Sequence, residues 1–145
     1  MPAAGLRARF GGAIVPPVIG TVEVMDVRVK MIHISRRGQA AYVSADGKHV
    51  DADAVFYVRV HPTVEDMCRV ATAIGAIRAG DVSSLRDEFA ARFDDAVAAV
   101  VAARTFDEAA DSRLQVIEEV LAEIGPDLDG FVVDTVAITR LARRP

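Results

Sequence analysis

Between His49 and His61 the chain reads H-V-D-A-D-A-V-F-Y-V-R-V-H, and this run restricts the fold more than any other stretch. Val50, Ala52, Ala54, Phe56, Val58 and Val60 share one parity, and His49, Asp51, Asp53, Tyr57, Arg59 and His61 share the other. Such alternation predicts a strand with one face on a core and one in water, Val55 being the single apolar residue on the wet face. Asp46-Gly47, just upstream, is the signature of a two-residue hairpin, because a type I′ turn needs φ > 0 at both central positions. Folding about that turn pairs Ala45 with Lys48, Val43 with Val50 and Ala41 with Ala52. The small apolar residues then share the inner face, and Tyr42 meets Asp51 outside.

The flanking sequence supplies the other elements. Residues 1–10 read as a loose segment, 11–141 as one domain and 142–145 as a tail. Ala13 to Ile19 is apolar but holds Pro16 and Pro17, which predicts a short edge strand or a loop crossing. Val22 and Val24 give way to Val27, Val29 and Met31, so a β-bulge near Met25-Asp26 is expected in a long strand running to about Ile34. Pro62 ends the alternating strand. Thr63, with Asp66 three residues on, caps a helix whose apolar face is Val64, Met67, Cys68, Ala71 and Ile74, stopped by Gly75. Residues 76–82 read as a linker. Ser84 is the expected cap of a second helix, striped by Leu85, Phe89, Phe93, Val97 and Val100. Thr105 with Glu108 opens a third, striped by Ala110, Leu114, Ile117, Leu121 and Ile124. Gly125-Pro126 ends it, Asp129-Gly130 turns the chain, and Phe131 to Leu141 returns as a last strand. Strands, three helices, then one strand make an α+β domain: a curved, largely antiparallel sheet with the helices packed on one side.

Charge and residue chemistry narrow the function. The chain carries a net charge of −4, yet residues 38–137 hold eight cations and nineteen acids while both flanks are basic. An acidic body with basic ends argues against a duplex-binding surface, which needs a broad basic patch, and no nucleic-acid partner is expected. The longest uncharged run, Phe10 to Val22, falls short of the ~18 apolar residues of a membrane span and is broken by its prolines. The chain by itself is therefore expected to be soluble. His49 and His61 would lie about 40 Å apart along a strand, so they cannot share an ion. His49 with Asp51 and Asp53 could at most form a weak cation site, against the plainer reading of a solvated strand face. Cys68 on an apolar helix face reads as a small core residue. Ser83-Ser84 lacks a nucleophile elbow, and Gly11-Gly12 and Gly75 to Gly80 match no phosphate loop. No catalytic residue, metal site or cofactor site is assigned, and the chain is expected not to be an enzyme.

The central strand, preceded by its Asp-Gly hairpin, resembles that of the SPFH domain (stomatin, prohibitin and flotillin; also called band 7), and within it the bacterial flotillin-like proteins. The resemblance extends through G-G-A-I-V-P-P-V (Gly11 to Val18), V-E-V-M-D (Val22 to Asp26), L-R-D-E-F-A-A-R-F (Leu85 to Phe93), T-F-D-E (Thr105 to Glu108) and V-A-I-T-R-L (Val136 to Leu141), in the family's order. It implies a non-enzymatic module that oligomerises on a membrane surface, in the parent protein on its cytoplasmic face, and scaffolds a microdomain beside an NfeD-type membrane protein or a membrane protease. Family members carry a membrane anchor before the domain and a long heptad-like helix after it. Neither stands in this sequence, so an excised domain or a truncated member is expected. The run of Phe10, Ile14, Val15, Val18 and Ile19, flanked by Arg7 and Arg9, is the candidate membrane-proximal segment, competing with an edge strand that covers the core. A soluble adaptor that binds a protein partner through a sheet edge is the alternative reading.

Overall fold

The computed structural model describes residues 24–143. The alternating run forms β3 (His49–Val60), which passes through the middle of a four-stranded antiparallel sheet. β1 (Lys30–Arg36) and β2 (Tyr42–Val43) lie along one side of it, and β4 (Phe131–Arg143) along the other: Ala52 is bracketed by Arg36 and Leu141. Between β1 and β2 a single 3₁₀ turn at Gly38–Ala40 loops out, fixed where the Gly38 N–H donates to the Asp51 carboxylate. The inner parity of β3 is buried as the alternation requires, Phe56 and Val58 completely. Val55, on the outer parity, is buried as well.

Five helices among the described residues follow: α1 (Val64–Ala73), α2 (Ala76–Ala79), α3 (Val82–Ala102), α4 (Phe106–Asp111) and α5 (Arg113–Ile124). The stripe of α3 meets the inner face of the sheet. Phe93 stacks on Phe56 at 4.5 Å between ring centroids and on Phe89 at 5.6 Å, and Phe89 meets Phe131 edge-on at 5.2 Å. Thr63 and Thr105 cap their helices as their sequences predict, each hydroxyl accepting from the N–H three residues on.

Several expectations are corrected. The hairpin pairs Tyr42 with Val50 and Val43 with His49, one residue away from the expected register. Its loop holds three residues, closed by Gly47 N–H to Ser44 O, with only Gly47 at positive φ. That slip reverses the faces: Tyr42 points inward, and Val43 is half exposed. No bulged strand runs through Met25-Asp26. Residues 24–29 are irregular, Asp26 gripping Arg28 and Lys30, and β1 turns Ile32 and Ile34 inward while Val29 and Met31 are exposed. The bulges lie in β4 instead, where Asp134 and Thr139 are extra residues against β3. They stretch the buried spacing to Phe131, Val136, Leu141. Asp81, not Ser84, caps α3, accepting from the Ser84 N–H, and the expected linker contains α2 with Ala76 and Ala79 buried. The third helix breaks at Ser112 (φ −131°, ψ 58°), and of the predicted stripe α5 fully buries only Ile124, joined by Val116 and Val120, while Ala110, Ile117 and Leu121 are partly buried against the core and Leu114 is exposed. On α1 the buried pair is Met67 and Val70, with Val64 exposed.

Tyr42 clamps the sheet to α3. Its hydroxyl donates to Asp94 at 2.6 Å, and Arg36 lies 4.4 Å over its ring. Burial and the adjacent Asp94 carboxylate push the phenol well above its ordinary pKa. Tyr42→Phe, which removes this buried hydroxyl, is expected to cost about 1–3 kcal/mol, read as a lower urea midpoint with unchanged slope. The two Asp-Gly glycines should separate sharply. A Cβ on Gly130 would stand 2.6 Å from Asp66 O and 2.7 Å from Val70 Cγ2, whereas one on Gly47 meets nothing within 4 Å. Gly47→Ala should lose only the ~1–2 kcal/mol of a left-handed conformation, and Gly130→Ala clearly more in the same thermal melts.

Candidate interaction surfaces

The outer face of the sheet carries paired charges rather than a reactive cluster. Asp53 accepts from Ser35 Oγ at 2.6 Å and pairs with Arg37, whose guanidinium first and Ser35 second hold its carboxyl below the usual carboxylate range. Asp51 is occupied by Gly38, and His49 stands exposed at the start of β3. The His49, Asp51 and Asp53 face is therefore a solvated strand face whose carboxylates already have donors. Among the described residues no group of three or more His, Cys, Asp or Glu side chains gathers to hold a metal. Arg59 Nε–H is shared between both oxygens of the Asp134 carboxylate, each at 2.9 Å, which engages the first bulge of β4 in a cross-strand pair. Cys68 is half-buried, and Ser84 is engaged with the Asp81 cap at 2.7 Å.

A second knot of charge joins α1 to the turn before β4. Asp66 accepts from His61 Nδ1 at 2.7 Å, from Thr63 Oγ1 at 3.1 Å and from Arg69 at 3.2 Å. Arg69 reaches on to Asp127 at 3.0 Å. The His61 contact foremost, then Thr63 and Arg69, hold the Asp66 carboxyl below its ordinary pKa.

Two exposed apolar features flank the sheet. Residues 24–29 pass beside the end of α2, with Asp26 Cβ at 3.0 Å from the position of a Cβ on Gly80, and these two segments carry the highly exposed Val24 (82%) and Ile77 (80%) on the β1 side. On the β4 side, Leu121, Ala122 and Pro126 face Val132 and Val133 across an apolar groove of about 440 Å³. A polar hollow of about 390 Å³ lies elsewhere, beside Arg104, Glu108, Asp111 and Gln115, where Arg104 is already ion-paired with Glu119. The predicted membrane-proximal residues Arg7, Arg9, Phe10, Ile14, Val15, Val18 and Ile19 lie outside the described residues. Ile77 escaped the sequence reading because a four-residue helix has no periodicity to reveal it. The groove escaped it because Leu121 belongs to a stripe that reads as core.

Fold and surface together define an antiparallel α+β domain whose accessible features are faces, edges and grooves. The model of the SPFH domain / Band 7 family matches residues 8–142, and the chain belongs to that family. The flotillin family inner membrane protein YqiK of Escherichia coli (strain K12) is 29% identical over 131 residues, which cover 89% of this chain and 24% of that protein. The chain thus spans about a quarter of that relative's length. No described helix is long and apolar enough to cross a membrane.

The knot around Asp66 sets an acid limb. A carboxyl whose folded pKa is depressed contributes stability above its unfolded value, ~3.9, and that stability is lost as pH falls through the folded pKa. Asp66→Asn should therefore lower stability by about 1 kcal/mol at pH 7, with the gap to wild type narrower at pH 3. Urea midpoints at the two pH values measure it.

Proposed function

We propose that this chain is an oligomerising, non-enzymatic scaffold domain of a flotillin-like membrane protein, one that organises lipid and protein partners at a membrane surface. The match to the SPFH domain over residues 8–142 carries the reading, and the flotillin-family relative supports its membrane setting. The chemistry agrees: the exposed carboxylates of the sheet face are engaged by arginine, serine and backbone donors, which suits a structural face better than a reactive one. Lipid contact is assigned to the uncharged run with Arg7, Arg9, Phe10, Ile14, Val15, Val18 and Ile19, since apolar side chains next to arginines suit an anionic interface. Further partners in the parent protein would be an NfeD-type membrane protein or a membrane protease.

The adaptor reading keeps one observation in its favour: β4 pairs with β3 along one side, and its other side has no strand partner among the described residues. An unpaired edge accepts an added strand. Flotation with anionic vesicles separates the two. The wild-type chain should float and Ile14→Asp should float several-fold less while keeping its circular dichroism. A wild type that stays at the bottom, together with a monomeric mass at all concentrations, would favour the adaptor.

A further inference from the structure

The two apolar features on either side of the sheet form a complementary pair. Lys30 at the start of β1 pairs with Val58, and Phe131 at the start of β4 pairs with Val60, so the α2 knob and the α5–β4 groove stand at the same end of the sheet on opposite edges. The knob is Ile77, 80% exposed on the short turn of α2, with Arg78 next to it in sequence. Arg78 has no ion-pair partner among the described residues, and Arg28 nearby is 85% exposed, although held by Asp26. The groove is its counterpart: apolar walls from Leu121, Pro126, Val132 and Val133, below an acidic helix. Residues 106–124 carry six acids against one cation, Arg113, and of the six only Glu119 has an ion-pair partner among the described residues. Glu118 lies one turn before Ala122 on the face of α5 that lines the groove, and Glu123 follows it.

We propose that the α5–β4 groove receives the Ile77 knob of a second copy of this chain, with Arg78 meeting the acidic flank of α5. Knob and groove belong to different patches, so the contact is heterologous, and each copy keeps a free knob on one side and a free groove on the other. Such contacts repeat sideways and either close into a ring or extend as a filament. Equal height on the sheet lets the repeat proceed edge to edge. The occupant is a second copy because its own surface supplies both requirements of the groove, an exposed aliphatic anchor and, next to it, a cation with no ion-pair partner among the described residues. This rests on the scaffold reading and gives its self-association a surface.

Two substitutions at exposed positions test it without touching the core. Ile77→Asp destroys the knob and keeps the groove; Ala122→Arg blocks and recharges the groove and keeps the knob. In sedimentation velocity the wild type should grow beyond a dimer with concentration. Each variant alone should self-associate about tenfold more weakly, the loss that removal of one apolar anchor brings. Mixed at equal amounts, the variants should form a 1:1 dimer and nothing larger, because one intact knob meets one intact groove. Variants that associate as the wild type does, or a mixture that stays monomeric, would overturn this surface while leaving the scaffold reading in place. A wild type that stays monomeric in solution and resists crosslinking on anionic vesicles would overturn both.

Discussion

The stack of Phe56 on Phe93 is the contact through which the rest of the molecule is joined. Phe56 belongs to the strand that is hydrogen-bonded on both sides, and Phe93 to the middle of the 21-residue helix that crosses the sheet. Further contacts build outward from this pair: Phe89 extends the stack toward Phe131 and so ties in β4, while Tyr42 and Arg36 meet Asp94, the residue after Phe93, and tie in β1 and β2. Aromatic rings bury large apolar areas and prefer offset or edge-on contact, so a chain with few aromatics gains most by clustering them. Here four of the six phenylalanines do so or meet a ring that does.

A sheet covered by helices on one face leaves its other face and its outer edges to be managed. The outer face is managed with charge pairs across strands, Arg37 to Asp53 and Arg59 to Asp134. In β4, two bulges kink the strand and interrupt the regular row of backbone groups, a device that discourages indiscriminate edge pairing. Exposed apolar side chains remain at Val24 and Ile77, at Leu114 on α5 and at Met31 and Val43 on the sheet, and the α5–β4 groove is lined by apolar residues.

Much of this was legible because it depends on local chemistry. The parity of β3, the stripe of α3, the caps at Thr63 and Thr105 and the stop at Gly75 each need only neighbours in sequence, and each is found in the fold. The two Asp-Gly pairs show where that ends. At Asp129-Gly130 both residues have positive φ and Leu128 bridges Phe131, as a two-residue turn requires. At Asp46-Gly47 only the glycine does. The difference lies outside the dipeptide: the Ala45 N–H donates to Arg104 O, and Tyr42 gains a buried partner in Asp94 only if it faces inward. A one-residue slip that buries a tyrosine with its hydrogen bond outweighs the preference of the turn.

The sequence by itself determined the class of fold, the central strand, the long helix and the family, since these rest on periodicity and on ordered motifs along the chain. Only the tertiary structure decided which of two apolar stripes on α5 enters the core. Leu114, Ile117, Leu121 and Ile124 read as the buried face, yet α5, starting at the break at Ser112, fully buries Val116 and Val120 with Ile124, leaves Ile117 and Leu121 only partly buried and exposes Leu114 at 71%. A helix that is apolar on more than one side can satisfy its periodicity in several orientations. The choice among them falls to the helix break and the packing around it. The same choice opens the groove, which is why the surface proposed for self-association is invisible in the sequence and plain in the fold.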